Sequence, residues 1–291
     1  MRGFLDLPIG GNIMIPIKFT PFSVGYCTHP QRMIIQDGDW SPCQFPALSF
    51  LLQHPQHGSI LFDTGYTQRF FTETQKWPFW IYRKTTKVHI EHKQTLTEQL
   101  MQQNIAASTI NTVIISHFHA DHIGGLRDFP KASMMCSGTA YTAVKNKKGL
   151  CALKNGYLVG LMPSDFIDRC VFFETKKMIP INNLGGFTEG YDLFDDKSII
   201  AVPLPGHAKG QYGLFFYDIN NKPVFLIADS CWTKEAYEEL KLPYILTYLI
   251  HDSRKSYKET IYKLHHLHKN QPEVLIIPSH CHQTWQRLQR I

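Results

Sequence analysis

The stretch His117-Phe118-His119-Ala120-Asp121-His122, which follows the apolar run Thr112-Val113-Ile114-Ile115-Ser116, decides how this chain is read. In extended backbone, residues two apart point to the same side, so His117 and His119 present two imidazoles together and Asp121 repeats the spacing. His122 points elsewhere as the chain turns into Ile123-Gly124-Gly125-Leu126. One short loop thereby offers two nitrogens to one metal ion, and a carboxylate plus a nitrogen to a neighbour. Donors of this kind suit Zn²⁺, and also Mn²⁺, Fe or Co²⁺.

Working outward, four more short apolar runs, rich in β-branched residues, read as strands: residues 59–65 (SILFDTG), 199–202, 224–228 and 274–277. Each ends at a candidate metal-site residue. Asp63 closes the first, His207 follows the second in Pro-Leu-Pro-Gly-His, Asp229 follows the third, and His280 follows the last in Pro-Ser-His. The carboxyl ends of strands in one sheet can converge in space, which is where α/β-type folds commonly place their sites. Two metal ions about 3.5–4 Å apart need a bridging carboxylate, and Asp229 is the free candidate. Helical patterns lie between the strands, with Leu96 and Leu100 in 94–103, and Tyr257, Ile261, Leu264 and Leu267 along one side of 253–269. Strands alternating with helices predict a layered α/β or α+β domain.

Composition narrows the class. Hydrophobic residues at 43% and charged residues at 19% are ordinary for a globular enzyme, and 291 residues can bury a sizeable core. Lys plus Arg exceed Asp plus Glu by 30 to 24 with no basic run, so no nucleic-acid partner is expected. Seven cysteines, an odd count with no C-x-x-C pair, predict a reducing compartment, the cytoplasm, rather than a disulfide framework. Asp6 and Pro8 interrupt the apolar residues at the start, which argues against a secretory signal. No run reaches the roughly 18 apolar residues of a membrane span. No repeat or linker divides the chain, so residues 1–291 read as one domain.

The order and spacing of His117-x-His119-x-Asp121-His122, His207, Asp229 and His280 resemble the metallo-β-lactamase superfamily, and the resemblance runs from Asp63 to His280. It implies an α+β fold, a four-layer αββα sandwich. It also implies that His117, His119 and His207 hold one metal, that Asp121, His122 and His280 hold the other, that Asp229 bridges them, and that Asp63 supports the histidine loop from behind. Asp229 separates the chain from the true β-lactamases, which lack that bridge. Residues 227–235 (IADSCWTKE) and Phe62-Asp63-Thr64-Gly65 are similar to N-acyl homoserine lactone lactonases, the quorum-quenching enzymes. One departure stands out. Where those lactonases carry a substrate-assisting tyrosine, this chain has Trp232, whose indole donates one N–H but has no hydroxyl.

The expected chemistry is hydrolysis of a lactone or carboxylic ester, a small-molecule substrate, by a hydroxide shared between two divalent ions, most readily Zn²⁺. Asp121 would shuttle the proton to the leaving oxygen. A phosphodiesterase or tRNA-processing nuclease uses the same two-metal clamp and is the alternative; a degenerate ligand sensor is the third class. The aromatic-rich insertion at about 66–92 reads as a wall of the substrate pocket, a homodimer contact, or ordinary packing. His265, His266 and His268 read as solvated surface, and Cys231 and Cys281 as buried spectators.

Overall fold

The computed structural model describes residues 15–290, so the reading of residues 1–14 lies outside the described residues. The first half of the chain builds one sheet: β1 (Lys18–Pro30), β2 (Pro42–His54), β3 (Gly58–Phe62), β4 (Lys87–His89), β5 (Ile110–Ile114), β6 (Ser133–Cys136) and β7 (Cys170–Phe172). Its strand order is β4-β1-β2-β3-β5-β6-β7. The second half builds the other: β8 (Lys177–Leu184), β9 (Phe187–Asp192), β10 (Ile199–Pro203), β11 (Tyr212–Tyr217), β12 (Pro223–Ala228) and β13 (Leu275–Pro278), in the order β13-β12-β11-β10-β9-β8. The strands expected from sequence are all present, with ends shifted by a few residues at most.

Alternation along the strands explains the layering. Phe50, Ile60, Phe62, Ile199, Leu214, Phe216 and Leu226 are buried between the two sheets. Their neighbours point the other way, because successive strand side chains alternate faces. Leu51, Leu61 and Val113 pack outward under the helices of the first half. Ile200, Val202, Phe215 and Phe225 pack against Tyr257, Ile261, Leu264 and Leu267. Those four lie on the helix Arg254–Asn270, whose start is capped by the Ser253 hydroxyl accepting from the Ser256 N–H. The result is the α+β sandwich expected from the sequence, with each sheet covered by helices on its outer face.

Parallel pairing positions the site. β3 pairs parallel with β5, and β12 pairs parallel with β13, so their carboxyl ends emerge side by side. The Asp63 N–H donates to Ile114 O at 2.9 Å, and the Ser279 N–H donates to Ala228 O at 3.1 Å. Two bonds cross between the sheets at this rim: Tyr212 N–H to Ser116 O at 3.1 Å and Leu48 N–H to Ser279 O at 3.0 Å.

The segment 66–92 serves several ends. Phe70 is a core residue, Tyr66 is buried yet borders a cleft above the rim, and Ile81, Tyr82, Thr85 and Thr86 line the same cleft. Trp77 and Trp80 stay exposed. Of the three helix histidines, only His266 is exposed as expected. His265 is half-buried with Nδ1 2.7 Å from Tyr237 O, and His268 packs on the Tyr237 ring. No helix among the described residues is long and apolar enough to cross a membrane.

Phe216→Ala removes a fully buried ring from between the sheets and is expected to cost about 3–5 kcal/mol. Urea unfolding checks this, and a loss below about 1 kcal/mol would place the inter-sheet core elsewhere.

Candidate metal centre

The backbone turns sharply where each strand delivers its side chain. Asp63 and Ala228 end β3 and β12 in the left-handed region, at φ 59° and 47°. Gly206, which precedes His207, sits at φ 132°, and a Cβ there would lie 2.2 Å from the Tyr257 backbone nitrogen. Only glycine lets the His207 loop lie that close to the long helix. Gly156 does the same for His119, since a Cβ would meet its ring at 2.7 Å.

These turns gather all seven sequence-predicted donors. His117, His119, His207 and Asp229 form one group and Asp121, His122 and His280 another, each with its donor atoms within 4.8 Å of one another. Asp229 joins the two groups. One oxygen, Oδ1, is 3.2 Å from His122 Nε2, while Oδ2 is 3.1 Å from His280 Nε2 and 3.4 Å from His207 Nε2. Asp121 Oδ2 lies 3.2 Å from His280 Nε2.

A supporting layer aims the rings. The Asp63 carboxylate accepts from the Ser116 N–H at 2.8 Å and from the Ser116 hydroxyl at 2.7 Å, and its Oδ2 is 2.8 Å from His122 Nδ1. The Ser116 hydroxyl is in turn 3.0 Å from His117 Nδ1. His280 Nδ1 is 2.7 Å from Pro46 O. This network places the Nδ1 protons of His117, His122 and His280 outward and turns their Nε2 atoms toward the centre. Sequence reading missed Ser116 and Pro46. Ser116 adjoins the histidine run and could have been weighed. Pro46 acts through its backbone carbonyl, which any residue possesses, so the sequence carries no signal for it.

The donors fit a metal. His117 Nε2 is buried without a hydrogen-bond partner, a costly state that a cation relieves. Burial and the neighbouring imidazoles hold His117 well below the ordinary histidine pKa, and burial does the same for His207. Both are therefore neutral, the form that binds metal. Burial opposes charge on His122, but Asp229, Asp63 and Asp121 outweigh it and raise its pKa well above the usual value. An all-nitrogen-and-oxygen set of seven donors is a site for divalent metal ions. Cys231 and Cys281 are buried free thiols beside it.

Trp232 borders the cleft, with its N–H donated to Asp229 Oδ2 at 2.9 Å. The indole face, rather than a free N–H, is what it presents to a ligand.

Residues 44–225, more than half of the chain, match the metallo-beta-lactamase superfamily, and the chain belongs to that superfamily. It is similar to N-acyl homoserine lactonase AttM of Rhizobium radiobacter, with 22% identity over 261 residues covering 86% of this chain and 88% of that protein. Among solved structures it resembles an N-acyl homoserine lactone hydrolase with the product N-hexanoyl-L-homoserine at its catalytic metal centre. The TM-score is 0.71 at 16% identity, covering 94% of this chain and 97% of that one. AidC, a dizinc quorum-quenching lactonase, gives a TM-score of 0.62 at 14% identity, over 93% and 90% of the two chains. At such identities these structures establish the shared fold.

Asp63→Asn keeps the shape but removes the charge that orients His122. Metal affinity is expected to fall about 10–100-fold. Competition with a chromogenic chelator measures it, and an unchanged affinity would remove Asp63 from the support of the site.

Proposed function

We propose that this protein is a metal-dependent hydrolase that opens a lactone or carboxylic ester at two Zn²⁺ ions, with an N-acyl homoserine lactone as the leading substrate. The observation that carries this reading is the set of seven donors, five of which line an apolar cleft of about 370 Å³. The relatives named above support the substrate class. We assign His117, His119 and His207 to one ion, Asp121, His122 and His280 to the other, and Asp229 to both. Seven free cysteines fit a reducing compartment, and we assign the enzyme to the cytoplasm.

Two divalent cations, when bound there, would supply Lewis acidity to activate a water and polarise the scissile carbonyl. The protein's own groups do the rest. Asp121, with Oδ2 3.2 Å from His280 Nε2, is the group assigned to carry a proton from the attacking water to the leaving oxygen. Asp229 is held in register by the Trp232 N–H. Met33, Phe45, Tyr66, Tyr82 and the Trp232 ring wall the cleft, where an acyl chain can leave water. With no free hydroxyl at Trp232, orienting the substrate falls to these walls.

Elemental analysis of the metal-saturated protein should give two ions per chain, and a firm limit of one would end the two-metal assignment. Parallel assays should show turnover of a lactone and a p-nitrophenyl ester above that of bis-p-nitrophenyl phosphate. The reverse order would make the protein a phosphodiesterase. Asp121→Asn, assayed at saturating metal, should slow turnover by roughly 10²–10⁴-fold. An unchanged rate would assign proton transfer to another group.

A further inference from the structure

A second cavity, of about 250 Å³, opens beside the apolar cleft, and both reach His119 and His207. The two differ in chemistry. The second is lined by Lys147, Lys154 and Lys209, together with Asn155, His251 and Asp252 and apolar residues that include Phe118, Val144 and Leu249; Lys154 also borders the apolar cleft. Lys147 follows the helix Gly138–Val144, Lys154 ends the helix Gly149–Lys154, and Lys209 lies in the loop after His207. Three separate segments thus bring three ammonium groups to one concave surface. The lysine ion pairs among the described residues are those of Lys93, Lys176, Lys234, Lys241 and Lys255, so none of these three is paired, even by Asp252. A cleft lined by one sign of charge concentrates ions of the other sign.

His251 gives a second, independent indication. Both of its ring nitrogens are buried and have no hydrogen-bond partner. The ring is wedged among His207, Trp232 and Tyr257, at centroid distances of 5.1, 5.6 and 4.4 Å. Native structures seldom leave a buried imidazole without any partner, and this one belongs to a residue that lines the cavity.

We propose that this basic cavity is a subsite for an anionic group, a carboxylate or a phosphate, carried by the substrate on the side of the scissile bond away from its acyl chain. The proposal rests on the hydrolase reading. The substrate class is then an amphiphilic acyl ester or lactone: the chain lies in the apolar cleft, the reacting carbonyl at the metal donors, and the negative charge among the three lysines.

Octanesulfonate is the direct probe, because a sulfonate carries charge but ligates metals poorly. Calorimetry on the metal-loaded protein should show it binding roughly tenfold more tightly to wild type than to the Lys147→Gln/Lys154→Gln/Lys209→Gln variant, as three partly exposed charges imply. 1-Octanol should bind both alike. Equal sulfonate affinity in two proteins of equal metal content would overturn the proposal. A second arm compares kcat/KM for carboxymethyl octanoate and 2-phosphoethyl octanoate, each relative to ethyl octanoate. The variant should lower the ratio for whichever anion the subsite takes, which separates carboxylate from phosphate. Failure to hydrolyse any ester or lactone would defeat the hydrolase reading, while the sulfonate measurement still decides the subsite.

Discussion

A buried carboxylate that three imidazoles approach at once constrains everything around it. Asp229 lies within 3.4 Å of His122, His280 and His207, and the Trp232 N–H takes up part of its remaining capacity. A charge so far from water is tolerable only among cations or strong donors. Burial alone would raise its pKa, yet His280 and His122 hold it well below the ordinary carboxylate range. The turn at Ala228, the parallel docking of β13 on β12 and the glycine before His207 can all be understood as ways to bring partners to this one group.

The sequence disclosed the candidate donors directly, and the layered fold that brings them together through the family resemblance. Alternating spacing in His117-x-His119-x-Asp121 is a local signal, readable without tertiary information. His207, Asp229 and His280 were legible because each follows a short β-branched run. Which strands pair was not, since β3 meets β5 across the intervening segment that contains β4, and register depends on side chains far apart in the chain. The aromatic residues of 66–92 illustrate the same limit. Tyr66 and Trp77 are both large aromatic side chains, yet one is 1% and the other 63% exposed, because only packing partners decide burial. The tryptophan at 232 showed its missing hydroxyl in sequence but not the acceptor that its N–H finds.

The two cavities divide the labour around the metal donors. One is mainly apolar and walled by the first half of the chain together with Trp232, Leu246, Thr247 and Ile250; the other carries the three lysines, of which Lys154 borders both. The 3₁₀ turn Ile245–Ile250 contributes to both. Ile245, Leu246, Leu249 and Ile250 are each more than half exposed, so this turn carries apolar surface at the mouth rather than in the core.

The parallel contact of β12 with β13 has a consequence for how the protein forms. Antiparallel neighbours can zip from a tight turn, but this pair closes only after the chain has wound through the helix Arg254–Asn270 and returned. Such closure is entropically slow. The donors of the first group, His117, His119, His207 and Asp229, all precede that return, whereas His280 follows it. The last strand is therefore what completes the donor set: without β13 docked on β12, the second group lacks His280.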